Sequence, residues 1–298
     1  MSIEFCHIAP TSHLSALVHD RTTHLVLAHL IEEDEQYRDF YFGQKAMGGR
    51  INKNAKPKAV KDYVHDRRTI IMDNSAFEMY KRGEPMYPTD KLITQARAVQ
   101  ADYVVMSDYP GEDAAKTIDA ATEMIPVLKR EGFGTFFCPQ SLPGDIEGLV
   151  AGYAWALHHP DIDYVAFSIL NIPLAYNVEK DNKLQRFLAR WRFMHLLESR
   201  GLLPALQSKK VHFLGLLDGP NEIELVKDYH QYITTWDSSS AVWAGINGIE
   251  YDNSPTGLTN GKFELEVDFK HNHADNDIVR LSNTKAKRNM VTIDRMCE

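Results

Sequence analysis

Three aspartates and a glutamine each stand at the end of a short apolar run. Asp73 opens Asp73-Asn74-Ser75-Ala76-Phe77-Glu78 after Thr69–Met72, and Asp108 closes Tyr103-Val104-Val105-Met106-Ser107-Asp108. Gln140 closes Gly134–Gln140, and Asp237 follows Trp236 and leads into Ser238-Ser239-Ser240. Two carboxylates facing one sugar carbon are the minimum for retaining glycosyl transfer. One attacks the anomeric carbon and carries a covalent glycosyl enzyme, while the other moves protons on the leaving and arriving groups. A third aspartate and a glutamine supply acceptors and donors for the polar edge of a purine, and an aromatic such as Phe77 can stack on its face. A carboxylate after a strand also serves as a helix N-cap. Four such polar residues on one rim exceed what capping needs.

For these residues to meet, the runs that carry them must be parallel strands ending on one face. Eight runs fit: Ile3–Ala9, His24–Leu30, Thr69–Asn74, Asp102–Asp108, Gly134–Gln140, Asp163–Ile169, Val211–Leu217 and Gln231–Asp237. Several are apolar nearly throughout, as expected of strands covered on both faces. Between them, helices are predicted over Glu112–Glu131, Asp145–His159, Asn182–Arg200 and Pro220–His230, from helix formers, Pro160 and Gly201 beyond C-termini, and Pro220 in a first turn. Alternation with right-handed crossovers predicts an α/β fold. Eight strands predict closure into a (β/α)8 TIM barrel over residues 1–243, with an open doubly wound sheet as the structural rival. Barrel active sites sit at the C-terminal strand ends, where the four polar residues lie. The first crossover, about fourteen residues, is short for a full helix. Residues 244–298 read as a polar, irregular C-terminal extension packed on the barrel.

The 298 residues are 44% hydrophobic, enough for a full core. No run approaches the ~18 apolar residues that span a bilayer, and Met1–Pro10 lacks the pattern of a secretory signal. Cys6, Cys138 and Cys297 are scattered, which fits a reduced, cytoplasmic setting. A net charge of −8 argues against coating nucleic acid by electrostatics alone. The chain is nonetheless strongly basic from Lys45 through Arg50, Lys53, Lys56, Lys58 and Lys61 to Arg67 and Arg68. This segment reads either as a solvated helix and loop or as a phosphate-gripping patch near the mouth.

The strand-end blocks resemble those of the tRNA-guanine transglycosylase superfamily, over roughly Ile70 to Trp243. Asp73–Glu78 is similar to that family's D-S-G-G/S-F-Q block, Asp108 and Gln140 fall at its base-reading positions, and Val211–Glu222 resembles its Y-L-M-G-x-G-x-P-x-D segment. The resemblance implies a (β/α)8 barrel that replaces guanine in a polynucleotide by a 7-deazaguanine. It makes Asp237 the nucleophile, Asp73 the general acid/base, Phe77 the stacking aromatic and Leu214 the cover on the second face of the base. It further implies pairing of two copies through a barrel face.

The departures are specific. Phe167 and Ser168 replace paired glycines whose backbone approaches the base, so Ser168 becomes the substrate-contacting residue there. Glu78 replaces a glutamine, and the family's C-x-C-x-x-C zinc site after the nucleophile is absent. His271, His273, Asp275 and Asp277 lack thiolates and read as a solvated loop rather than a metal site. No cofactor is implied. A short relative without RNA-binding parts resembles the DpdA branch, DNA-guanine transglycosylases of bacteriophages and bacterial DNA-modification islands. That branch implies DNA as partner, with tRNA as the alternative, and preQ0 or a related deazaguanine as the incoming base. Rival readings are a glycoside or metal-dependent barrel hydrolase, with His7, His29 and His212 as candidate ligands, and a catalytically dead barrel that only grips nucleic acid.

Overall fold

In the computed structural model, which describes residues 2–48, 68–217, 219–251, 267–271 and 276–298, all eight apolar runs overlap a strand. The strands are β1 (Glu4–His7), β2 (Thr23–Leu27), β3 (Thr69–Asp73), β4 (Tyr103–Val105), β5 (Gly134–Phe137), β6 (Tyr164–Ser168), β7 (Lys210–Leu214) and β8 (Thr235–Ser238). Every ladder is parallel, in the order β1-β8-β7-β6-β5-β4-β3-β2. At the two ends of that order the Thr23 hydroxyl of β2 donates to the Glu4 carboxylate of β1, which brings the sheet close to a closed barrel. The expected α/β TIM-barrel architecture is therefore present.

Period-two alternation sorts the side chains of each strand into two layers. Outward, Phe137 packs on Trp155 and Phe167 on Tyr153 and Phe193, so the strands meet the flanking helices through aromatic rings, while Phe213 packs on Trp236 of the neighbouring strand. Inward, Phe136 stacks on Tyr164 with ring centroids 5.1 Å apart, and Tyr164 meets Tyr103 at 4.8 Å. These rings plug the barrel below the strand ends, so the lumen is a packed core and chemistry is confined to the mouth.

Three of the long helices begin where a side chain satisfies a free backbone N–H. Asp113 caps Ala114–Glu131 at the Ala115 N–H (2.8 Å), Asp145 caps Ile146–His158 at the Gly148 N–H (2.8 Å), and Asn182 caps Lys183–Ser199 at the Gln185 N–H (3.2 Å).

Three expectations need correction. β2 ends at Leu27, and Ala28–Glu33 is helical: a run apolar on every side fits a buried helix as well as a buried strand. The last strand begins at Thr235, because Lys227–Tyr232 coils into a 3-10 helix. Residues 276–296 are not irregular but form a 21-residue helix, Asn276–Met296. Its buried face, Ser282, Ala286, Met290 and Ile293, continued by Cys297 just beyond its end, repeats at helical spacing inside a polar composition that hides it. This helix packs on Ser240–Ile246, where a Cβ on Gly245 would fall 2.2 Å from the Ala286 backbone nitrogen. It also covers the flank left bare by the short first crossover, which holds only Thr11–His13 and Leu14–Leu17. Asp294 bonds His7 of β1 (3.0 Å) and Arg21 (2.8 Å), and Asn283 bonds His13 (2.7 Å).

Candidate active site

β8 delivers Asp237 to the mouth, beside Cys6 of β1 in register. Its Oδ1 lies 2.9 Å from His212 Nε2 and accepts the Gly215 N–H at 3.1 Å. An ionised carboxylate can only accept, so Nε2 carries a proton; in a neutral ring Nδ1 then accepts the Thr235 hydroxyl, 2.6 Å away. Oδ2 of Asp237 accepts no hydrogen bond among the described residues. One oxygen is anchored twice and its neighbour is uncommitted, the arrangement of an oriented nucleophile.

β3 delivers Asp73. Its Oδ2 accepts the Ser75 N–H at 2.9 Å, closing a turn in which Ser75 adopts φ 60°, a left-handed conformation unusual for a side-chain-bearing residue. The Ser75 hydroxyl is held in turn by His29 Nδ1 at 2.8 Å. Burial, then the carboxylates of Glu78, Asp237 and Asp108, holds the Asp73 carboxyl well above the usual carboxylate range. A carboxyl group held toward its protonated form is suited to donate a proton to a leaving group. Trp236, beside Asp237 in β8, turns outward and donates Nε1–H to the Gly215 carbonyl at 2.6 Å.

Asp108 and Gln140 meet one layer along. Asn74 Nδ2 donates to Asp108 Oδ1 at 2.6 Å and to the Met106 carbonyl at 2.7 Å, and the Gln140 amide donates to Asp108 Oδ2. Burial lifts Asp108 to about 6, against these hydrogen bonds, which favour its ionised form. Gln140 Oε1 is buried with no partner, an acceptor left for a ligand donor.

The remaining expected residues divide. Phe77 stands on the rim with Lys81 5.5 Å over its ring, and Tyr80 on the same helix, Ala76–Arg82, is 45% exposed. Leu214 is half-buried at the end of β7. The Ser168 Oγ accepts the N–H groups of Leu170 (3.1 Å) and Asn171 (3.2 Å), so it holds a turn and only its hydroxyl proton remains for a ligand. Lys45 is not near the mouth. Its ammonium ion-pairs with Asp102, which precedes β4, and donates to the Arg68 carbonyl before β3 (3.0 Å), at the opposite end of the barrel. Arg50, Lys53, Lys56 and Lys58 lie outside the described residues, as do His273 and Asp275. His271 stacks 6.2 Å from His13 and meets Trp243 edge-on at 5.4 Å. His7, His29 and His212 bond Asp294, Ser75 and Asp237 separately, and among the described residues no group of three or more His, Cys, Asp or Glu is arranged to hold a metal ion.

Sequence reasoning missed His212 as a partner of Asp237. The signal was the alternation itself: with Leu214 assigned to the mouth, His212 two residues earlier shares its inward face. Glu78, a departure from the resembling block, also faces the site. Its Oε2 is buried without a partner, and burial, with the Asp237 charge adding to it, raises its carboxyl above the ordinary value.

No family model matches the chain, and no curated protein matches it in sequence.

Proposed function

We propose that the barrel mouth exchanges guanine in a polynucleotide, DNA rather than tRNA, for a 7-deazaguanine of the preQ0 type. One observation carries the reading: Asp237 presents a single uncommitted oxygen, and the charge of that carboxylate acts on a second carboxyl, Asp73, held toward its protonated form. The resemblance of the strand-end blocks supports it. So does Ser75, whose φ of 60° is backbone that glycine adopts freely, at a position where the resembling block has glycine.

In this reading the target nucleotide is flipped out of its stack, at a cost of a few kcal/mol. Asp237 Oδ2 attacks C1′ while the C1′–N9 bond breaks. The bonding pair leaves with guanine, which takes its proton from Asp73. The incoming deazaguanine then gives its N9 proton to the Asp73 carboxylate and attacks C1′, and the bond to Asp237 breaks with its electrons returning to the carboxylate. Two inversions retain configuration. Asp108 and the free Oε1 of Gln140 form an acceptor-rich edge suited to the N–H donors of guanine. Phe77 and Tyr80 on the rim, with Lys81 and Arg82 on the same helix, suit stacking and phosphate contact with the strand beside the flipped base.

The test offers labelled preQ0 with either DNA or tRNA. Label entering DNA supports the reading, and label entering tRNA alone moves the substrate to RNA. Guanine release without uptake of label would make the protein a hydrolase.

A further inference from the structure

We propose that the buried Arg190 is a positioning residue for Asp237, acting through the Leu214–Gly215 peptide group; the inference rests on Asp237 being the nucleophile of the reading above. Arg190 lies on the helix Lys183–Ser199 and is 1% exposed. Its Nε donates to Glu222 Oε1 at 2.8 Å and its Nη2 meets Glu222 Oε2 at 2.7 Å. The rest of the guanidinium is spent on strand ends: Nη1 donates to the Phe167 and Leu214 carbonyls, both at 3.1 Å, and Nη2 to the Gly215 carbonyl at 2.9 Å.

The Leu214 carbonyl and the Gly215 N–H are two ends of one planar trans peptide and point in opposite directions. A guanidinium on the carbonyl end polarises the group, and the N–H end donates to Asp237 Oδ1 at 3.1 Å. Positive charge outside the barrel is thereby coupled to negative charge inside it through one amide. Two features fix the amide's direction. Gly215 adopts φ 72°, and its own carbonyl is held by both Arg190 and Trp236 Nε1. Stability alone does not call for this arrangement, because well-packed apolar side chains of similar volume serve as well as a buried ion pair. An ion pair would also need only Glu222, not three carbonyls at the ends of β6 and β7.

Leu214–Gly215 is the only Leu-Gly dipeptide in the chain. Protein labelled with carbonyl-¹³C leucine and ¹⁵N glycine therefore gives one selected amide signal, that of Gly215. The expected result is a downfield Gly215 amide proton in the native protein that moves upfield in both Asp237→Asn and Arg190→Gln. Base exchange by Arg190→Gln should lose ~10- to 100-fold in kcat, the scale of one charge-assisted hydrogen bond, with KM unchanged. A folded Arg190→Gln with the native resonance or the native kcat overturns the proposal, and so does an Asp237→Asn protein whose Gly215 amide does not move. If Arg190→Gln fails to fold, Arg190→Lys, which keeps the charge but not the planar fork, must show a displaced resonance; a native one is equally fatal. Should the native protein exchange no base with any nucleic acid, the functional reading falls while the amide measurements still decide the coupling.

Discussion

His212 Nε2 lies 2.9 Å from Asp237 Oδ1, and the two residues come from neighbouring parallel strands whose register places Thr235 opposite His212. The bond binds the same oxygen as the Gly215 N–H, so in the proposed mechanism attack is left to Oδ2. Asp237→Asn should abolish covalent capture of nucleic acid. His212→Phe should retain capture but slow it, by about 10-fold for one lost hydrogen bond to a charged group. Denaturing gels of trapped complex, followed over time, separate the two outcomes; native capture by Asp237→Asn would reject the nucleophile.

In the proposed exchange, Asp73 is the group that must be protonated when guanine departs. Asp73→Ala should cut turnover by about 10²-fold or more while leaving base binding in place. Glu78 supplies like charge that raises Asp73 further. Glu78→Gln removes that charge, so the alkaline limb of the pH–rate profile should move to lower pH. An unmoved limb in a folded Glu78→Gln protein would detach Glu78 from the proton donor.

Asp108 makes the fold pH-dependent. Its ordinary value of 3.8 rises to about 6 in the folded state, so the native protein binds the extra proton between those limits. The associated stability, roughly 3 kcal/mol, is fully present below pH 4 and lost as pH rises through 6. The melting temperature of the native protein, measured from pH 4 to pH 7 against Asp108→Asn, should fall more steeply with pH. Parallel curves would contradict the shift.

Lys45→Ala tests which end of the barrel meets nucleic acid. Lys45 and Asp102 are 9% and 18% exposed, and removing one partner should cost roughly 3 kcal/mol, the low end for a buried pair. Affinity for single-stranded DNA should not change. Tyr80→Ala, on the rim, should behave in the opposite way, losing about 1–3 kcal/mol of binding and little stability.

The C-terminal helix is an integral part of the barrel wall. Gly245→Ala forces a methyl into the Ala286 backbone, so the melting temperature should drop by the equivalent of about 1–3 kcal/mol or more. A neutral substitution would mean that the Ser240–Ile246 and Asn276–Met296 helices do not cross so closely.

Much of this architecture was legible in the chain because strand ends announce themselves. Asp73, Asp108, Gln140 and Asp237 each interrupt an apolar run, and a parallel barrel sends all such interruptions to one face. The misplacement of Lys45 had a readable remedy: its segment precedes β3 rather than following a strand, so its described flanks belong to the face opposite the mouth. The helix Asn276–Met296 was harder, since its sparse apolar positions are outnumbered by polar ones.

By itself the sequence determined the strand count, the parallel alternation and which polar side chains reach the rim, because these follow from local patterning and period-two geometry. Only the tertiary structure decided that His212 and Gly215 share one oxygen of Asp237, that Glu78, Asp237 and Asp108 raise Asp73, and that Lys45 sits at the far end. Those relations depend on register and on charge summed across strands distant in the chain, and neither is written into any local stretch of residues.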